Sequence, residues 1–198
     1  MNLGIRTVAA DRPADPVLAS WQEQVRSAVA KGTALVIEGG RSKSFYGRPS
    51  AGEPLATAAY RGIVDYEPTE LVITARGGTP LAEIDAALAE RGQMLAFEPP
   101  RFAGSPTIGG VVAAGLSGPR RMAVGAVRDF VLGARLLDGK GDLLNFGGQV
   151  MKHVAGYDVS RLLAGSLGCL GVLVEVSLKV LPKPLEEATL HFELSEAE

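Results

Sequence analysis

Six consecutive residues, Gly39-Gly40-Arg41-Ser42-Lys43-Ser44, put two glycines, two hydroxyls and two cations directly after an apolar run. Successive backbone N–H groups in such a turn can point into one concavity and hold a phosphate without a basic protein around them. A Walker A loop needs Gly directly before its Lys, where Ser42 stands here, and no G-x-G-x-x-G follows a predicted strand. A plain surface turn with positive φ at its glycines accounts for the same residues equally well.

A second stretch runs Gly104-Ser105-Pro106-Thr107-Ile108-Gly109-Gly110-Val111-Val112-Ala113-Ala114-Gly115. Ser105 or Thr107 caps a helix opening at Ile108, and Gly109 and Gly110 leave its first N–H groups sterically open to a diphosphate or a flavin edge. Close helix packing through Gly110, Ala113 and Ala114 competes with that reading. A third stretch begins Lys152-His153-Val154-Ala155-Gly156-Tyr157-Asp158 and continues through Gly165, Gly168 and Gly171, with no charge between 162 and 174. It describes a loop pressed against a flat apolar partner, either the core or an aromatic ring system. Tyr157 and Asp158 can face that partner, or Asp158 can cap a short helix through Arg161 and Leu163.

Periodicity supplies the elements that must position these stretches. Val17, Leu18, Trp21, Val25, Ala28 and Val29 predict an amphipathic helix over Pro16 to Ala30, stopped by Gly32. A short strand over Thr33 to Glu38 leads into the first glycine turn, and further strands are expected at Gly62 to Tyr66 and Glu70 to Thr74. Thr79 as N-cap and Pro80 as first residue open a helix through Leu81, Ile84 and Leu88 to Gly92. Phe130 to Leu137, the turn Asp138-Gly139-Lys140-Gly141 and Asp142 to Phe146 read as a hairpin. Alternation over Val172 to Val180 predicts a half-buried strand, stopped by Pro182 and Pro184. This order does not alternate regularly enough for a doubly wound sheet, so an α+β fold is expected, in two lobes around a glycine-rich seam.

Taken together, GGRSKSFYG, FAGSPTIGGVVAAGLSGP and KHVAGYDVSRLLAGSLGCLGVLVEVSLKVLPKP resemble the FAD-binding domain of the vanillyl-alcohol oxidase (PCMH) type. Within it they look like the FAD-binding subunits of the glycolate oxidase kind, and the resemblance runs from about Thr33 to Pro184. It implies two α+β subdomains over residues 1–184 with extended FAD between them, and residues 185–198 as the start of a cap domain that is otherwise missing. It further implies that Gly39, Gly40, Arg41, Ser42, Lys43 and Ser44 wrap the pyrophosphate. Ser105, Thr107, Gly109 and Gly110 would form the second wall, Gly125 would border the flavin, Tyr157 would face it, and Val172 would meet the adenine end through its backbone. With no His in the pyrophosphate loop, non-covalent FAD is implied. Arg41, His153 and Cys169 depart from the family's GGGSK, KNVAGYD and GSLGTLG; an Arg at a turn glycine is tolerable if its φ is negative, and its guanidinium can pair with a phosphate.

The resemblance implies an FAD-binding subunit of a 2-hydroxy-acid oxidase complex, partnered by a second flavoprotein subunit and an iron–sulfur subunit. A non-catalytic assembly subunit and another flavoenzyme of the same fold are the rival readings. Composition bounds the rest. The 20 Lys and Arg against 22 Asp and Glu leave no footprint for nucleic acid or an anionic membrane. The uncharged run from Phe102 to Pro119 holds five Gly and two Pro, which suits a buried loop and helix better than a membrane span. No export signal is recognised at the N-terminus, so the cytoplasm is expected, with any membrane association through partners. His153 and His191 lie 38 residues apart without neighbouring ligands, so no metal site is expected. Cys169, set among Leu and Gly, is expected to be a small buried hydrophobe. Fifteen of the 25 glycines fall between 104 and 171, where backbone must turn or approach something closely.

Overall fold

The computed structural model describes residues 6–7, 15–48, 51–102, 104–148 and 158–195. The first half carries β1 (Arg6–Thr7), α1 (Pro16–Lys31), β2 (Leu35–Glu38), β3 (Glu53–Ala56), β4 (Ile63–Glu67), β5 (Val72–Arg76), α2 (Leu81–Ala89) and β6 (Gln93–Met94). There follow α3 (Ile108–Ala114), α4 (Arg121–Val124), α5 (Val127–Phe130), β7 (Val131–Leu137), β8 (Leu143–Gly147), α6 (Val159–Leu162), β9 (Val172–Lys179) and β10 (Leu181–Pro182).

Six strands form one antiparallel sheet in the order β1-β8-β7-β9-β5-β4. A two-stranded parallel pair, β2 with β3, and an antiparallel pair, β6 with β10, stand apart from it. Helix α1 starts where the Asp15 carboxylate accepts from the Val17 amide and stops at Gly32, whose φ of 66° only glycine adopts cheaply. Its stripe of Leu18, Trp21 and Val25 packs with Leu55 and Tyr60 against Leu137, Val172 and Val174 of the sheet. The larger core lies on the other sheet face, where Leu81, Ile84 and Leu88 of α2 and Ile108, Val111 and Val112 of α3 meet Ile73, Val176 and Leu178.

Strand β9 joins the two cores and corrects the expectation of a half-buried strand, since seven of its eight residues are buried. The register with β7 shifts between Arg135 and Leu136, so the side chains change phase in mid-strand. Val172 and Val174 therefore pack with Trp21, whereas Val176 and Leu178 enter the larger core. The two buried polar residues of β9 are matched across the sheet: Glu175 pairs with Arg135 at 3.5 Å, and Ser177 shares a 2.8 Å hydrogen bond with Thr74.

Two further expectations shift. Helix α2 has Pro80 as its cap and no side-chain capping bond; Thr79 instead accepts from the Gly62 amide and donates to the Arg76 carbonyl, tying β4 to the end of β5. Pro182 does not end the strand region but lies in β10, opposite Gln93.

Candidate functional site

The strand β2 ends at Glu38, whose carbonyl accepts from both the amide and the hydroxyl of Thr57 at 2.8 and 3.0 Å. This double anchor fixes where the next turn, Gly39 to Arg48, leaves the sheet. The turn is pressed onto the loop before α3. A Cβ built on Gly40 would lie 1.5 Å from the Ser105 carbonyl oxygen, and one on Gly39 would lie 2.6 Å from the Thr107 hydroxyl oxygen. Gly104, with φ of 94°, lies against Gly40 and Ser42 as well. The first two stretches of the sequence are thus one structure, a double wall of bare backbone.

The amides of Gly40, Arg41, Ser42 and Lys43 have no acceptor among the described residues. Four adjacent donors without partners in a partly exposed turn are available to an anion. Lys43 belongs to the same run, and burial lowers the pKa of its ammonium from the ordinary lysine value. The condition of a negative φ at Arg41 is not met, since its φ is 56°, and its guanidinium pairs with Glu38 at 3.8 Å.

The second wall works differently from the expectation. Thr107, not Ser105, caps α3 by accepting from the Gly110 amide at 3.3 Å. The Ile108 and Gly109 amides donate to the carbonyls of Thr79 and Gly77, so the helix end presents no open amides at Ile108, Gly109 or Gly110. Gly109 is there for packing, because a Cβ would sit 2.8 Å from the Gly77 carbonyl. Gly110 faces outward with only Thr107 near it.

The third stretch closes on the first two. Gly165 and Leu167 donate to the carbonyls of Val112 and Ala113 at the end of α3. Gly168 abuts Ile37, Gly47 abuts Leu167 and Gly171 abuts the Leu137 carbonyl, so this loop presses on the protein's own core. Asp158 takes the capping role: its carboxylate accepts from the Arg161 amide and the Ser160 hydroxyl. Tyr157 and residues 152–156 lie outside the described residues. Cys169 is exposed, not buried, because it sits on the outside of a tight turn closed by its own amide and the Ser166 carbonyl. Gly125 ends α4 with φ of 99° and has Asp129 as its nearest neighbour; the Val172 side chain is buried against α1.

Around the open amides stands an apolar rim that periodicity did not single out. Phe45 of the turn and Phe102 of the loop meet edge to face at 5.0 Å, both exposed, with Tyr46, Leu167 and Leu170 exposed on the same three segments. Polar donors flanked by exposed apolar surface suit a ligand with a charged middle and flat ends.

The model of the FAD binding domain family matches residues 18–147, a span that includes both walls of the cradle. The chain belongs to this FAD-binding family. Glycolate oxidase subunit GlcE of Escherichia coli (strain K12) is 58% identical over 173 residues, which cover 87% of this chain and 49% of that protein. A D-2-hydroxyglutarate dehydrogenase of Xanthomonas citri pv. viticola is 33% identical over 82% of this chain and 35% of its own length. The chain therefore spans about half or less of these curated relatives. The solved structure of an alkyldihydroxyacetonephosphate synthase superposes with a TM-score of 0.65 at 20% identity, covering 85% of this chain and 33% of that one, which establishes the shared α+β fold. FAD is the cofactor of this family, and the residues present fit it: unpaired amides for a diphosphate, glycines where a Cβ would block the junction, and apolar surface on either side.

Proposed function

We propose that this chain is the FAD-binding subunit of a 2-hydroxy-acid oxidase complex of the glycolate oxidase kind. The observation that carries the reading is the 58% identity to an E. coli glycolate oxidase subunit across a region that contains the cradle. When bound, FAD accepts the two electrons released as a 2-hydroxy acid becomes a 2-oxo acid. The chain itself supplies binding and orientation. Gly39 to Ser44 hold the diphosphate through the open amides and Lys43, while Ser105, Thr107, Gly109 and Gly110 give the second wall its shape without side-chain bulk. Gly125 and Val172 extend the cofactor groove at its flavin and adenine ends, and Tyr157 is the corresponding candidate in the third stretch. The turn from Gly39 to Arg48 contains no His, so the cofactor is held without a covalent tether there.

Residues 1–184 make up the binding domain and 185–198 begin a cap. The partners are a second flavoprotein subunit and an iron–sulfur subunit; a glycolate oxidase subunit GlcD of Bacillus subtilis, 34% identical over 65% of this chain, supports a family of related subunits. Among the described residues no helix is long and apolar enough to cross a membrane. The cytoplasm is the proposed location, with membrane contact through partners.

Titrating the purified chain with FAD and following flavin fluorescence tests the cofactor reading; saturable one-to-one binding is expected, and no binding at high micromolar FAD overturns it. An assembly role without turnover of its own is the second reading. Glycolate-dependent dye reduction by a reconstituted complex containing this chain, lost when Gly40→Ala is substituted, favours the first.

A further inference from the structure

Arg41 is one of four described non-glycine residues with positive φ, and the only one of them in the cradle. The left-handed region places Cβ against the backbone and is costly for any residue that carries one, so an unrewarded Arg here would be replaced by Gly at no loss. Its present reward is small. The side chain is 71% exposed, and among the described residues its ion-pair partner is Glu38, at 3.8 Å. A pair so exposed and so long contributes little to stability.

What the conformation achieves is placement. Arg41 lies inside the run of four open amides, so any anion bound by the amides of Gly40 to Lys43 is within one side-chain length of its guanidinium. The guanidinium is a planar fork of donors suited to phosphate oxygens. Glu38 is held in place independently, by the two Thr57 bonds to its carbonyl and by its half-buried side chain.

We propose that Glu38 and Arg41 form an affinity-setting ion pair, in which the Glu38 carboxylate competes with the cofactor diphosphate for the Arg41 guanidinium. The inference rests on the cofactor reading given above and deepens it. Without diphosphate, Arg41 rests on Glu38; with diphosphate it turns to the phosphate oxygens, and Glu38 is released to solvent. Glu38 therefore weakens binding and Arg41 strengthens it, and the effect of Glu38 exists only while Arg41 is present.

The test is a double-mutant cycle on FAD dissociation constants for the wild type, Glu38→Gln, Arg41→Gly and the double variant, each at two salt concentrations. Expected are about threefold tighter binding for Glu38→Gln and about tenfold weaker binding for Arg41→Gly. In the double variant Glu38→Gln should have no further effect, and the salt dependence of binding should be shallower wherever Arg41 is absent. Thermal unfolding of the FAD-free protein separates binding from folding: Arg41→Gly is expected to melt about 2 °C higher by relief of the positive φ, so its weaker binding cannot come from a damaged fold. Unchanged affinity in Arg41→Gly, or additive effects in the double variant, overturns the proposal. Failure of the wild type to bind FAD overturns the cofactor reading instead.

Discussion

Gly40→Ala isolates the junction on which the cradle depends. The added methyl carbon would lie 1.5 Å from the Ser105 carbonyl oxygen and 2.6 Å from the carbonyl carbon, both backbone atoms that no rotamer change can move aside. Ordinary contact begins near 3.5 Å, so the turn and the loop must separate by about 2 Å. Both are surface segments, and the two hydrophobic cores do not include Gly40 or Ser105. The cost to folding is therefore the modest one of local overpacking, about 1–3 kcal/mol, or roughly 2–12 °C in melting temperature for a chain of this size. The cost to binding is larger, because displacement of the turn takes the open amides away from the wall that faces them. A loss of at least ~100-fold in FAD affinity, about 2.7 kcal/mol, is expected. Flavin fluorescence titration and circular dichroism melts read the two quantities separately. Gly139→Ala serves as the control, since a Cβ there meets nothing within 4 Å and should leave both unchanged. Wild-type FAD affinity in Gly40→Ala, with its melting temperature lowered as calculated, would refute the claim that this junction shapes the site.

Gly109→Ala drives a methyl into the Gly77 backbone at 2.8–3.2 Å beneath a buried helix, so a loss of roughly 2–4 kcal/mol in urea unfolding is expected, larger than that of Gly40→Ala. Thr107→Ala removes the hydroxyl that accepts from Gly110 and should cost about 1 kcal/mol in the same assay. Trp21, the chain's single Trp, meets Tyr60 edge to face at 5.5 Å in the smaller core; Trp21→Phe should lower stability by about 1–2 kcal/mol while leaving FAD affinity intact, read by melting and titration. The Arg120 amide and guanidinium bonds hold the Glu98 carboxyl below its usual range. A group with a depressed folded pKa stabilises the protein above its unfolded value and loses that contribution as pH falls through the folded one, so Glu98→Gln should flatten the acid limb of a stability–pH curve.

The legible parts of this fold were those where one physical signal dominates. The stripe through Leu18, Trp21 and Val25 has nowhere to go but a core, and Asp138-Gly139-Lys140-Gly141 can close only a tight hairpin, its Asp138 carboxylate accepting from the Lys140 and Asp142 amides. Strict alternation in β9 implies one buried face only while the partner strand stays in register, and the bulge opposite Arg135 cannot be read from the sequence of β9. Strand β3 escaped because Glu53-Pro54-Leu55-Ala56 has one apolar anchor and a proline, and becomes a strand only by pairing in parallel with Leu35 to Glu38. At the site, residue types pointed to open amides in two places. Only the turn keeps them, because the carbonyls that occupy the Ile108 and Gly109 amides come from Thr79 and Gly77, about thirty residues earlier in the chain.

Those same carbonyls explain why the site forms where it does. A Cβ on Gly77 would lie 2.1 Å from the Leu173 carbonyl oxygen, and one on Gly109 would lie 2.8 Å from the Gly77 carbonyl oxygen. Strand β9, the turn after β5 and the first turn of α3 are thus stacked backbone on backbone with no side chain between them. This stack sets the depth at which α3 sits on the sheet. The loop from Gly104 to Thr107, rigidly continuous with α3, is thereby carried to within reach of Gly40. The opposite wall is set by the Thr57 bonds to the Glu38 carbonyl, and Thr57 in turn is held against Gly78, whose Cβ would lie 2.2 Å from the Thr57 carbonyl oxygen. Both walls therefore take their position from the Gly77-Gly78 pair, a dipeptide that carries no functional group. Enlarging Gly77 should displace α3 and its loop together, which makes cofactor affinity sensitive to a residue whose own contacts are with the Leu173 backbone.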